Sequence, residues 1–151
     1  MVIKLVMSIP SNLNFLIVAN FFSTRETLAY NLRKIGFTSG EIYRCSDLIQ
    51  AKQLILDKAN TDKPVNFIFS DGQVNDIEIS GFLGHIRNSK DCSKIPLIVL
   101  LTNLDKDYLK RLVSIGLSEF LQKPWALPNL LSKIQIAWEK HSRDTSVGVS
   151  P

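Results

Sequence analysis

Short apolar runs alternating with longer amphipathic stretches constrain this chain more than any other feature. Phe15-Leu16-Ile17-Val18 is a continuous apolar run. It is too short for a helix and lacks the polar alternation of a half-exposed strand, so it reads as a strand buried on both faces. Residues 65–69, 97–101 and 119–122 repeat the pattern, with Pro64, Pro96 and Pro124 as punctuation, and 41–45 is a weaker instance carrying Ile42 and Tyr43. Between these runs the spacing changes. Leu28, Leu32 and Ile35 recur four and three apart and stop at Gly36, with Ser23 and Thr24 as candidate caps. Asp47 caps a stretch whose Leu48, Ala51, Leu54 and Ile55 share one face. Residues 79–87 carry Phe82, Leu83 and Ile86, while Tyr108, Leu109, Leu112 and Val113 form a face stopped by Gly116. Leu127, Leu130, Leu131, Ile134 and Trp138 mark a long final helix. Five buried strands alternating with five helices specify a doubly wound α/β fold: a five-stranded parallel sheet with right-handed crossovers.

Length and composition set the outer bounds. At 151 residues and 45% hydrophobic content the chain suits one domain with a substantial core. That domain is expected over residues 14–141, after an extension at 1–13 and before a small, polar tail at 142–151. The net charge of +4 is mild, and the 18 Lys and Arg form no run or helical stripe, so direct nucleic-acid binding is not expected. Cys45 and Cys92 form no CxxC or Cys/His cluster, and His85 and His141 lack metal-ligand spacing. They suit reduced, packed thiols rather than a zinc site. The apolar residues of 1–10 are interrupted by Lys4 and too few for a signal-peptide core. No segment approaches the roughly 18 apolar residues of a membrane span. A cytoplasmic protein with no membrane partner is expected.

In an open parallel sheet, reactive groups gather outside the carboxyl ends of the strands, near the point where strand order reverses. The residues there are Ala19 and Asn20 after the first strand, Asp71 after the third, Thr102 after the fourth and Lys123 after the fifth. A carboxylate is a competent nucleophile toward a phosphoryl group when developing charge is neutralised, and an ammonium and a hydroxyl nearby supply part of that neutralisation. Singly, Asp71-Gly72 reads as a turn, Thr102 as a cap and Lys123 as a solvated charge. Their joint placement at three strand ends gives the set its meaning.

These same residues carry a family resemblance. Phe15 through Arg25, followed by Leu32-Arg33-Lys34-Ile35-Gly36-Phe37, resembles the first strand and helix of chemotaxis-type receiver domains of response regulators. Phe67-Ile68-Phe69-Ser70-Asp71 is similar to the family's third strand with its phosphorylated Asp, and Ile95 through Thr102 to the fourth strand with its switch hydroxyl. Gly116-Leu117-Ser118-Glu119-Phe120-Leu121-Gln122-Lys123-Pro124 matches the family's G-x-x-x-(aromatic)-x-x-K-P signature, the most specific of these segments. The resemblance spans roughly residues 14–140 and implies a flavodoxin-like (βα)5 fold. It implies Asp71 as phospho-acceptor, Lys123 and Thr102 as phosphate contacts and Phe120 as the aromatic switch. The implied partners are a histidine kinase or phosphotransfer protein, and a downstream target bound on the face of the fourth helix, fifth strand and fifth helix.

Two departures qualify the resemblance. Receivers carry two acidic residues at the end of the first strand, which hold Mg²⁺ together with the phospho-acceptor Asp; here Ala19 and Asn20 occupy those positions. Mg²⁺ binds through carboxylates and retained waters, and losing two negative charges costs several kcal/mol even at an effective dielectric of about 20. Mg²⁺ is therefore the one cofactor implied, with Asp71 as its remaining carboxylate ligand and weak or no affinity expected. The loop after Asp71 is also two residues longer than the family's and lacks its proline, with Gly81 ten positions on. Asp76 and Glu78 in that loop have two destinations: toward Asp71, rebuilding an acidic site, or the amino end of the third helix, which favours carboxylates. The resulting expectation is a stand-alone receiver-like signalling protein, not an enzyme, with atypical or impaired phosphorylation of Asp71. The alternative is a phosphorylation-independent interaction module, a pseudo-receiver. An electron carrier on the same fold would want a glycine-bearing phosphate loop after the first strand, and Asn20-Phe21-Phe22-Ser23-Thr24 has none.

Overall fold

The computed structural model describes residues 9–142. In chain order the elements are β1 (Phe15–Val18), α1 (Phe22–Lys34), β2 (Ile42–Cys45), α2 (Leu48–Lys58), β3 (Phe67–Asp71), β4 (Gln73–Val74), β5 (Ile77–Glu78), α3 (Ser80–Asn88), β6 (Leu97–Leu101), α4 (Lys106–Ile115), β7 (Glu119–Gln122) and α5 (Leu127–Ala137). One π-helical turn, Trp138–Ser142, continues α5. Five strands form a parallel sheet in the order β2-β1-β3-β6-β7. The chain steps from β1 out to β2, then crosses back to β3 on the other side of β1. The carboxyl ends of β1 and β3 therefore open a crevice where the order reverses.

Both faces of the sheet are covered, which is why its strands read as unbroken apolar runs. Phe15, Ile17, Phe67, Phe69, Ile98 and Leu100 point to one layer, packed on Leu28 and Leu32 of α1 and Leu130 and Ile134 of α5. Leu16, Val18, Ile68, Leu97, Val99 and Leu101 point to the other, with Leu48, Ala51 and Ile55 of α2, Phe82, Leu83 and Ile86 of α3, and Tyr108 and Leu112 of α4. Ile9 and Leu13, within the stretch read as an extension, are buried in the α1–α5 layer. Residues 1–8 and 143–151, most of the expected extension and tail, lie outside the described residues.

Several helix ends follow the sequence. Asp47 accepts from Gln50 N–H at 2.9 Å and caps α2, and Gly116, at φ 125°, ends α4 in a conformation an L side chain resists. Other expectations are corrected. Ser23 and Thr24 do not cap α1; they lie inside its first turn, and extended Phe21 holds the cap position without a side-chain bond. Val113 is not part of a buried face but stands 52% exposed. The third strand runs two residues later than residues 65–69, because Phe67 pairs with Phe15 and Asp71 with Leu100, so Asp71 is itself the strand's last residue.

The longer loop after Asp71 is a β-hairpin, β4 with β5. Asn75 and Asp76, at φ 52° and 64°, make its two-residue turn. Such turns need both central residues left-handed, and Asn and Asp are the side chains that tolerate this. Val74 anchors the hairpin in the α2–α4 layer. Neither destination foreseen for the loop carboxylates is taken. Asp76 sits at the hairpin tip, Glu78 pairs with Arg111 of α4 at 3.3 Å, and α3 starts at Ile79 without a side-chain cap.

Candidate functional site

The sheet brings Asp71, Asn20 and Lys123 together from three strand ends. Asp71 is buried, 4% exposed, at the floor of a pocket of about 360 Å³ beyond the carboxyl ends of β1, β3, β6 and β7. Lys123 extends β7 by one backbone bond, its N–H donating to Leu101 C=O at 2.7 Å, and the Lys123–Pro124 peptide is cis. From the end of β7, Lys123 Nζ lies 2.7 Å from Asp71 Oδ1. The burial of the carboxylate makes this pair electrostatically stronger than a surface one.

The other carboxylate oxygen faces Asn20. Asn20 donates to Asp71 Oδ2 twice, from its backbone N–H at 2.8 Å and from Nδ2 at 3.1 Å. Nδ2 also donates to the Gln73 carbonyl at 2.8 Å, and Oδ1 accepts from Asn75 N–H at 2.8 Å. An amide side chain offers two donor hydrogens and one acceptor oxygen, and here each is used. Asn75 Nδ2 reaches the Ser46 carbonyl at 3.3 Å, tying the hairpin also to the loop after β2.

The remaining predicted residues are placed less directly. Ala19 is fully buried and contributes only backbone: its N–H donates to Cys45 C=O at 3.1 Å, and its C=O accepts from Arg25 Nη1 at 2.7 Å. Thr102 lines the pocket but is exposed at its rim. Phe120 does not line it; the ring is half-buried at the α4–β7–α5 face, with Lys133 Nζ 4.3 Å above its centre. Asp105, also in the pocket wall, caps α4 by accepting from Tyr108 N–H at 3.1 Å.

Mg²⁺ does not fit this donor set. Asp71 is the one carboxylate at its floor, and among the described residues no three His, Cys, Asp or Glu side chains cluster to hold a metal. Oδ1 of Asp71 faces an ammonium, Oδ2 faces amide donors, and the oxygen of Asn20 already accepts. A hard cation that demands near-octahedral oxygen would have to displace these bonds.

Two contributors were not singled out in the sequence. Tyr108 reads there as one apolar position of a helix face, yet its hydroxyl donates to Gly72 C=O and accepts from Ile79 N–H at 3.0 Å, closing the base of the hairpin. Burial pushes the Tyr108 hydroxyl pKa up, so it stays protonated and able to donate. The hairpin itself had one available signal, Asn75-Asp76 flanked by Val74 and Ile77.

The architecture has known counterparts. The chain is similar to a chemotaxis response regulator from Vibrio cholerae (22% identical, TM-score 0.67, 82% of this chain and 97% of that one). It is also similar to the receiver domain of a DNA-binding response regulator from Colwellia psychrerythraea (20%, TM-score 0.72, 85% and 99%). A third likeness is to the receiver domain of a signal transduction histidine kinase from Syntrophus aciditrophicus (20%, TM-score 0.67, 83% and 90%). These define the fold as that of receivers. In sequence it is 25% identical over 129 residues to a probable chemotaxis protein CheY of Rhizobium etli, covering 85% of this chain and 95% of that protein. No family model matches. With the fold and the sequence relative in agreement, the chain has the fold of CheY-like receiver domains and resembles one of them along most of its sequence. No helix among the described residues is long and apolar enough to cross a membrane.

Proposed function

We propose that this receiver signals by docking to partner proteins, with Asp71 as its phospho-acceptor position and with phosphorylation impaired because the site works without a divalent cation. The observation that carries the reading is the Asp71–Lys123 pair at 2.7 Å on the floor of the strand-end pocket. Lys123 neutralises one charge of an incoming phosphoryl group, and Thr102 at the rim is a hydroxyl within the same pocket. The second positive centre that phosphoryl transfer usually draws on is missing, which slows the reaction.

Likeness to a chemotaxis response regulator and to a kinase's receiver domain supports partners of the two-component class: a histidine kinase or phosphotransfer protein upstream and a protein target downstream. The target face is α4, β7 and α5, where Val113 is 52% exposed beside half-buried Leu109 and Phe120. Phe21 and Phe22, 68% and 69% exposed beside the pocket, suit contact with a phosphodonor.

A second reading, a phosphorylation-independent module, is favoured by one observation: both oxygens of Asp71 already have partners. Incubation with acetyl phosphate and Mg²⁺, followed by intact-mass measurement, separates the two. The first reading expects a slow, partial phosphate adduct that is absent in Asp71→Asn and faster in the Ala19→Asp, Asn20→Asp double variant. Rapid, complete conversion of the wild type would contradict impairment. No adduct over hours in either protein would leave the second reading in its place.

A further inference from the structure

At the reversal point of the sheet two oxygen acceptors converge on one donor. Asp71 Oδ2 and the Gln73 carbonyl lie 3.1 Å and 2.8 Å from Asn20 Nδ2. Oxygens aimed at a common point repel unless something positive lies between them, and the Asp71 carboxylate, the buried member of the two, is costly to leave unmatched. A cation meets this need with a full charge, whereas the Asn20 amide meets it with two N–H dipoles. Its other end is engaged too, because Oδ1 accepts from Asn75 N–H at 2.8 Å, so one side chain spans the carboxylate, the start of the hairpin and its turn. The base of the hairpin is held separately, by the Tyr108 hydroxyl on Gly72 and Ile79 and by Arg111 on Glu78 at 3.3 Å.

We propose that Asn20 is a resident, neutral substitute for the divalent cation of a receiver site: its amide holds the β4–β5 hairpin against Asp71 and keeps the pocket assembled in the absence of metal. The inference deepens the reading of Asp71 given above, since it supplies the reason that no cation is needed there. An asparagine that merely tethers a loop is the competing account, and the two differ in how an added metal behaves. In Asn20→Asp the oxygen facing Asn75 N–H is retained, but an anionic oxygen replaces the donor between Asp71 and Gln73. If the amide stands in for a cation, this variant acquires a need for one.

The test is hydrogen exchange at the Asn75 and Ile79 amides, measured with EDTA and with millimolar Mg²⁺ in three proteins. Wild-type rates are expected to be the same in both buffers. Asn20→Ala, at an exposed position that tolerates truncation, should exchange faster in both by about tenfold, the equivalent of about one net hydrogen bond. Asn20→Asp should be at least as fast in EDTA and return toward wild-type rates with Mg²⁺. Wild-type protection that rises with Mg²⁺, variants that keep wild-type rates in EDTA, or an Asn20→Asp protein that Mg²⁺ does not restore would each overturn the proposal. No phosphodonor enters this experiment, so a missing adduct on Asp71 and a failure of the amide clamp are read independently.

Discussion

Lys123 and Asn20 reach the same carboxylate from opposite sides, and they treat it differently. On the β7 side Asp71 meets a full charge, an ammonium 2.7 Å from Oδ1, delivered by the segment of sequence most typical of receivers. On the β1 side it meets only dipoles, two N–H groups of Asn20 on Oδ2, from a position where receivers place an acid. The charged contact joins two strands of the rigid sheet. The neutral one joins the sheet to a small hairpin hung over the pocket. The contrast teaches that charge neutralisation and loop positioning, which a bound cation performs together, are here divided between two side chains.

Removing the charged side should have the largest effect. Lys123→Met leaves a buried carboxylate with neutral donors alone, and breaking a buried pair this way costs about 3 kcal/mol. Denaturant unfolding should read that loss, and Asp71→Asn in the same background should recover much of it, because the stranded charge is then gone. A smaller effect is expected at the hairpin base. Tyr108→Phe removes a hydroxyl that bonds both Gly72 C=O and Ile79 N–H, and because these two keep a direct bond to each other at 3.2 Å the loss should be about 1 kcal/mol.

That substitution also carries a pH signature. Burial raises the folded-state pKa of Tyr108 above its ordinary value of 10.0. Between the unfolded and folded pKa values the native state holds the proton that the unfolded chain has lost. The contribution is therefore complete below pH 10 and declines as pH rises through the folded value. Stability of Tyr108→Phe, followed by chemical denaturation across that range, should lack this declining component. The smallest expected effect is a gain. Asp76→Gly relieves a left-handed side chain at φ 64°, so it should raise stability by about 0.5–1 kcal/mol while leaving the pairing of Asp71 with Lys123 intact.

The half of the site that is charged was legible in the sequence, and the neutral half was not. Lys123 announces itself through a run of nine residues, and Asp71 through its place at the end of a buried strand. The helix stop at Gly116 and the cap at Asp47 were equally readable, since their signals are local. Asn20 was legible only as the absence of an acid. Its partners, Asp71, Gln73 and Asn75, come from more than fifty positions away and meet it only once β1 and β3 are paired. The hairpin is hard to see because strands of two residues each have no period to read, which leaves the Asn75-Asp76 turn as its one signal. Tyr108 reads as apolar because helical spacing reports which way a side chain points and says nothing of where its hydroxyl ends.

The central claim, that an amide rather than a cation completes the Asp71 site, is tested most directly by titrating Mn²⁺ into the ¹⁵N-labelled protein. The account predicts no saturable, localised broadening of the Asn20, Gly72 and Gln73 amide resonances at millimolar Mn²⁺. Saturable broadening confined to those resonances would place a metal at Asp71 and contradict it.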